Sequence, residues 1–162
     1  MRILTLDYST TSCGWCLCDS KTSTFKYGSI KPKGNLEERV TYIANFLSTF
    51  TDVDKVVVEE VSSMINAKTL RALLRGLGYA LGKIITSYDN ATYVTPSHWR
   101  KVAWGFTPRK TVEAKALAIT SLKERGITCS NDDEAEAIGI MIYFLTEYHP
   151  GLFPPLENKG EL

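Results

Sequence analysis

The sequence predicts an α/β domain whose mixed sheet, three antiparallel strands followed by parallel strands, carries helices on both faces. Three observations carry that expectation. The first 30 residues fall into three short strand-like blocks separated by Ser/Thr and Lys/Thr/Ser turns. A continuous valine run, DKVVVEEV at 54–61, lies between two helical periodicities, as a buried parallel strand does. Beyond Pro96 every periodic segment has helical spacing.

In chain order, RILTLDY, GWCLCDS and TFKYGSI are the meander, with turns at Ser9–Ser12 and around Lys21 to Ser23. Gly34 and Asn35 precede an apolar periodicity (Leu36, Val40, Ile43, Phe46, Leu47) that predicts an amphipathic helix ending near Phe50. After the valine strand, a long helix is expected from about Asn66 to Tyr88, with Leu70, Leu73, Leu74, Leu77, Leu81 and Ile84 inward, and ATYVT supplies a further short strand. A short helix follows Pro96, a second runs from about Pro108 to Arg125, and a third from Asn131 to Tyr148. Pro150, Pro154 and Pro155 stop the last one, which makes residues 1–150 one domain and 151–162 a tail. A length of 162 residues suits a single core that needs no disulfide or structural metal.

Composition excludes several classes. With 44% hydrophobic and 23% charged residues, neither wholesale disorder nor a coiled coil fits. The opening MRILTLD is too short for a secretory apolar region, and the longest apolar run, AIGIMIYFL at 137–145, falls short of a membrane span, so a cytoplasmic protein with no membrane partner is expected. Cys13, Cys16, Cys18 and Cys129 are then expected to stay reduced. Cys13 and Cys16 spell CxxC, but on a strand they lie about 10 Å apart and point to opposite faces, which argues against a disulfide or zinc site. His98 and His149 read as polar surface or helix-end residues. GYALGK at 78–83 lacks the spacing of a phosphate loop.

Net charge is +1, but its distribution is uneven. Residues 64–125 carry 11 basic and 3 acidic side chains, whereas residues 126–162 carry 1 and 7. A basic surface beside concentrated carboxylates suits a metal-dependent enzyme acting on a polyanion; a solvated basic helix is the plainer alternative.

Three acidic positions stand where a strand or helix would ordinarily be apolar: Asp7 ending the first strand, Glu59 and Glu60 ending the valine strand, and Asp132, Asp133, Glu134 and Glu136 opening the final helix. Parallel neighbouring strands bring their carboxyl ends to one edge of a sheet, so Asp7 and Glu59 are expected to meet. Residues three apart on a helix share a face, which lets Asp133 and Glu136 approach that edge together. Such hard oxygen donors suit two Mg²⁺ or Mn²⁺ ions, which activate water and stabilise the leaving oxygen in phosphodiester hydrolysis. Structural alternatives stand beside this. Asp132, Asp133 and Glu134 complement the helix dipole, with Ser130 and Asp133 spelling a capping box, and one of Glu59 and Glu60 is expected to face solvent.

LTLDYSTTSCGWC, VVVEEV and DDEAEAIGI together resemble, in order and spacing, the acidic motifs of the RuvC Holliday-junction resolvases within the ribonuclease H-like superfamily, over residues 2–148. The short C-terminus is more similar to the phage and poxvirus branch. The resemblance implies a ribonuclease H-like fold and a homodimeric crossover junction endodeoxyribonuclease. Two Mg²⁺ or Mn²⁺ ions would be held by Asp7, Glu59, Asp133 and Glu136 as catalytic residues, and cleavage would leave a 5′-phosphate and a 3′-hydroxyl. Branched DNA, especially four-way junctions, is the implied partner. The family's final carboxylate is usually aspartate where this chain has Glu136, with Asp132 the nearest substitute. Its junction-core aromatic falls on Ser62.

Lys68, Arg71 and Arg75 form one stripe of the long helix, continued by Gly78 and Gly82. The three basic residues, with Arg100, Arg109 and Lys110, are phosphate candidates. Gly78 and Gly82 are candidates for a contact between subunits, or for close packing of the helix on its own sheet. Two rivals remain. DYSTTS is similar to the first phosphate motif of sugar kinases and actin-like ATPases, which need two such domains around a nucleotide. A catalytically inactive junction-binding protein would keep the basic helix without needing the carboxylates.

Overall fold

Alternation of apolar side chains along the strands decides how the molecule is layered. In this computed structural model, which describes residues 1–22, 24–61, 66–105 and 111–151, β1 (Arg2–Tyr8), β2 (Cys13–Asp19) and β3 (Thr24–Ile30) form the antiparallel meander. β4 (Lys55–Glu59) and β5 (Ala91–Val94) add in parallel on the other side of β1, giving the order β3-β2-β1-β4-β5. The helices are α1 (Leu36–Leu47), α2 (Ala67–Ile84), α3 (Pro96–Trp104), α4 (Thr111–Glu124) and α5 (Asp132–Tyr148).

Successive strand side chains point to opposite faces, and the two cores follow that rule. Leu4, Leu6, Val56 and Val58 pack with Ile43, Leu47, Leu77 and Leu81 of α1 and α2. Ile3, Val57 and Val94 pack on the other face with Trp99, Leu122, Ile138 and Met141 of α3, α4 and α5. Thr5 belongs to the second face, where its hydroxyl donates to the Ala137 carbonyl at 2.6 Å and so ties β1 to α5. Cys13 lies in the first core and Cys16 in the second, the opposite faces that strand geometry predicts, and all four cysteines are free.

Several expectations need correction. α1 stops at Leu47, because Thr49 and Phe50 turn their N–H groups to the Phe46 and Leu47 carbonyls instead of continuing the helical ladder. α2 ends at Ile84, and Tyr88–Asn90 is a separate 3₁₀ turn. Leu74, expected inward, is 52% exposed; the small residues Gly76 and Ala80 share the buried face with Leu77 and Leu81. Gly76, and neither Gly78 nor Gly82, makes the close approach: a Cβ there would stand 2.3 Å from the Tyr8 hydroxyl. At Gly78 and Gly82 a Cβ would meet nothing within 4 Å, which overturns packing of these two glycines on their own sheet. The Ser130–Asp133 capping box does not form. Asn131 caps α5 instead, its side chain accepting the Glu134 N–H at 3.0 Å. Among the described residues, no helix is long and apolar enough to cross a membrane.

Candidate active site at the carboxyl edge of the sheet

Leu6 of β1 lies level with Val58 of β4, so the next residues, Asp7 and Glu59, come side by side at the carboxyl ends of adjacent parallel strands, Asp7 one residue before the end of β1 and Glu59 at the end of β4. Both follow residues of the α5-facing rows, Thr5 and Val57, and therefore turn toward α5. Glycine lets that helix come close. Gly14 pairs with Asp7 across the β1–β2 ladder, and a Cβ on it would stand 1.9 Å from the Asp133 carbonyl oxygen. Gly14 thus seats the first turn of α5 directly over the sheet beside Asp7. A polar cluster fixes the same turn laterally: Asn131 Nδ2 donates to Ser29 Oγ at 2.7 Å, Ser29 Oγ to Glu134 Oε1 at 3.2 Å, and the Ser130 N–H to Glu134 Oε2 at 2.7 Å.

These contacts sort the acidic residues that open α5. Glu134 is consumed by the anchor, and Asp132 pairs with Lys115 of α4, which holds its carboxyl below the usual range. Asp133 and Glu136 are left within electrostatic reach of Asp7, as the three-residue spacing predicts. Glu60 is exposed, so Glu59 is the inward member of its pair.

The site is electrostatically strained. Burial raises the Asp7 carboxyl well above its ordinary value, and repulsion from Glu136, Glu59 and Asp133 adds to the rise. Burial likewise raises Glu59 and Glu136, and Arg100 opposes the shift in both. Arg100 of α3 was expected at a DNA phosphate. Here its Nη2 donates to Glu136 Oε1 at 2.7 Å and lies 3.4 Å from Glu59 Oε2. Its neighbour Trp99 donates Nε1–H to the same Glu59 oxygen at 2.7 Å, a contact the sequence did not announce. The guanidinium also stacks on the Trp99 ring, 4.8 Å from the centroid.

Lys68, Arg71 and Arg75 are exposed along α2 and line an open groove of about 840 Å³ against Asn35, Leu36, Glu37 and Val40 of the α1 side. Gly78 and Gly82 lie further along the same exposed face, with Leu74 at its flank. Arg109, Lys110 and Ser62 lie outside the described residues. His98 is exposed and packs edge-on against Tyr143, and His149 caps α5 beside Phe144.

Chemically, the edge gathers four carboxylates with Arg100 among them and Lys115 at their flank as counter-charges, a donor set suited to Mg²⁺ or Mn²⁺. Among the described residues no three such groups already surround one point, so closing on an ion requires the side chains to turn.

No protein-family profile and no curated protein matches the sequence. Solved structures do match. Thermus thermophilus RuvC in complex with a Holliday junction substrate superposes with a TM-score of 0.64 at 16% identity, covering 88% of this chain and 92% of that one. A second Thermus thermophilus RuvC structure gives 0.63 at 16% identity, with 90% and 95% covered. Fowlpox virus resolvase with Holliday junction DNA aligns over 91% and 85% at 15% identity, with a TM-score of 0.42. The first two superpositions show the fold: the chain's mixed five-stranded sheet with helices on both faces is the ribonuclease H-like fold of those RuvC structures.

Proposed function

We propose that the protein is a metal-dependent, structure-selective endodeoxyribonuclease that cleaves four-way junctions and other branched DNA, acting as a homodimer. The observation that carries this reading is the convergence of Asp7, Glu59, Asp133 and Glu136, from two parallel strands and one helix, at a single edge of the sheet. A fold alone does not assign chemistry, whereas such a carboxylate set does limit it. Asp7, Glu59, Asp133 and Glu136 would hold two Mg²⁺ or Mn²⁺ ions, which supply an activated water and charge stabilisation at the leaving oxygen. The chain's own residues do the rest. Trp99 fixes the Glu59 carboxylate, Gly14 and the Ser29–Asn131–Glu134 cluster hold α5 against the sheet, and the exposed stripe of Lys68, Arg71 and Arg75 offers positive charge to the DNA backbone. The open face at Gly78 and Gly82, flanked by exposed Leu74, suits a second copy, whose site would then address the opposing strand. A reduced, cytoplasmic setting fits the four free thiols.

The test is end-labelled four-way junction, three-way junction, flap and linear duplex DNA incubated with the protein and Mg²⁺ or Mn²⁺, with Asp7→Asn alongside. Paired nicks at the four-way junction, absent in the variant, are expected. Equal cutting of every branched form would broaden the activity to debranching. Junction binding without any metal-dependent cut would leave a binding protein, and loss of both would turn attention to a nucleotide ligand.

A further inference from the structure

Arg100 stands where a cation is needed. Its guanidinium is largely buried, with 17% of the side chain exposed, between Glu59 and Glu136, carboxylates from different elements that no other described cation bridges. Its manner of binding is unlike that of a permanent brace. A structural arginine commonly grips a carboxylate with two nitrogens. Here Nη2 alone serves both glutamates, one of the contacts is long at 3.4 Å, and Nε is buried without a partner among the described residues. Glu59 moreover keeps a second donor, the Trp99 indole at 2.7 Å, which would hold it in place when Arg100 leaves.

Resting on the metal-dependent reading above, we infer that Arg100 is a built-in competitor for the metal site: it neutralises Glu59 and Glu136 in the unloaded enzyme and must withdraw before a divalent cation can be held there. Both cations need the same oxygens, so occupancy by one excludes the other. The apparent metal affinity is therefore reduced by the fraction of molecules in which Arg100 is seated. Once displaced, the guanidinium is free at the edge of the site for a phosphate, which joins its position here to the role expected of it from the sequence.

Mn²⁺ binding by calorimetry, without DNA, tests this on the full chain. Arg100→Gln, which keeps hydrogen-bonding capacity but removes the charge, should bind Mn²⁺ about tenfold more tightly than wild type, as expected if the seated state prevails by about ten to one. Unchanged or weaker binding by the variant, with wild type still binding, would overturn the competition and leave the nuclease reading standing. Failure of both proteins to bind Mn²⁺ would overturn the two together. Should Arg100→Gln not fold, the wild-type protein decides: the Arg100 Nε–H resonance should lose protection from solvent exchange on Mg²⁺ addition, and an unaltered resonance with bound Mg²⁺ would refute displacement.

Discussion

Replacing Asp7 with asparagine should make the metal-free protein more stable while abolishing its cutting of DNA. The reasoning starts from the raised carboxyl of Asp7, caused first by burial and then by Glu136, Glu59 and Asp133. A carboxyl whose folded pKa exceeds its unfolded value of 3.8 binds its proton more tightly in the native state, so folding is disfavoured as that proton is lost. Asp7 therefore leaves stability unaffected at pH well below 3.8, erodes it as pH climbs toward the folded value, and imposes a constant penalty above that. Asparagine has the same shape and no charge. Relief of such a functional-site penalty is worth about 1 kcal/mol, within the usual range for single stabilising changes. For a chain of this size that corresponds to a rise in Tm of about 2–4 °C. Melting both proteins in EDTA at pH 5 and pH 8 measures it, with the larger difference expected at pH 8. Glu59 and Glu136 keep their own raised pKa values, so some pH dependence persists in the variant. Mg²⁺ should reverse the order, since a ligand at 100 times its Kd stabilises by about 2.7 kcal/mol and Asp7→Asn weakens the site that holds it. A variant melting below wild type at pH 8 in EDTA would refute the account, because Asp7 would then be held by attraction rather than merely tolerated.

Three further outcomes follow from the same geometry. Gly14→Ala would set a Cβ 1.9 Å from the Asp133 carbonyl oxygen, a backbone atom, and the overpacking should cost about 1–3 kcal/mol in urea denaturation; a loss under about 0.5 kcal/mol would mean that α5 is not seated on β2. Lys68→Ala with Arg71→Ala should weaken junction binding and flatten the dependence of log K on log salt by about 2, and an unchanged slope would remove both residues from the phosphate contact. Leu74→Asp, at a position 52% exposed, should change stability by no more than about 0.5 kcal/mol in the monomer yet abolish dimerisation in sedimentation; a dimer of undiminished strength would move the subunit contact off this face.

What the sequence made legible and what it hid have physical causes. The valine run of β4 marked a strand buried on both faces, and parallel pairing with β1 was then enough to predict that Asp7 and Glu59 would share an edge, because parallel neighbours bring their carboxyl ends together. That Asp133 and Glu136 would both lie within reach of Asp7 followed from helical spacing alone. The facing of Leu74 did not. Six leucine and isoleucine positions described a stripe broader than the sheet can cover, and Gly76 took the place nearest β1 because only a residue without a Cβ fits beneath the Tyr8 hydroxyl. The division of labour among the carboxylates that open α5 was equally hidden, since Lys115 and Ser29, which claim Asp132 and Glu134, lie 17 and 105 residues away.

Arg100 is the sharpest case. In a segment of net charge +8 a single arginine reads as one more phosphate contact, and nothing local distinguishes it. Its direction is set by α3 packing on α5, with Pro96 starting the helix and Trp99 buried against Gly139, where a Cβ would stand 2.7 Å from the indole ring. That packing turns the next residue, Arg100, toward Glu136, 36 positions further on. A charge whose sign suits DNA thereby lies at the carboxylates instead. The same attraction that would recruit it to a phosphate holds it against Glu59 and Glu136, so the strength of metal binding and the availability of Arg100 to DNA become two sides of one exchange. The calorimetric comparison of wild type with Arg100→Gln measures that exchange directly.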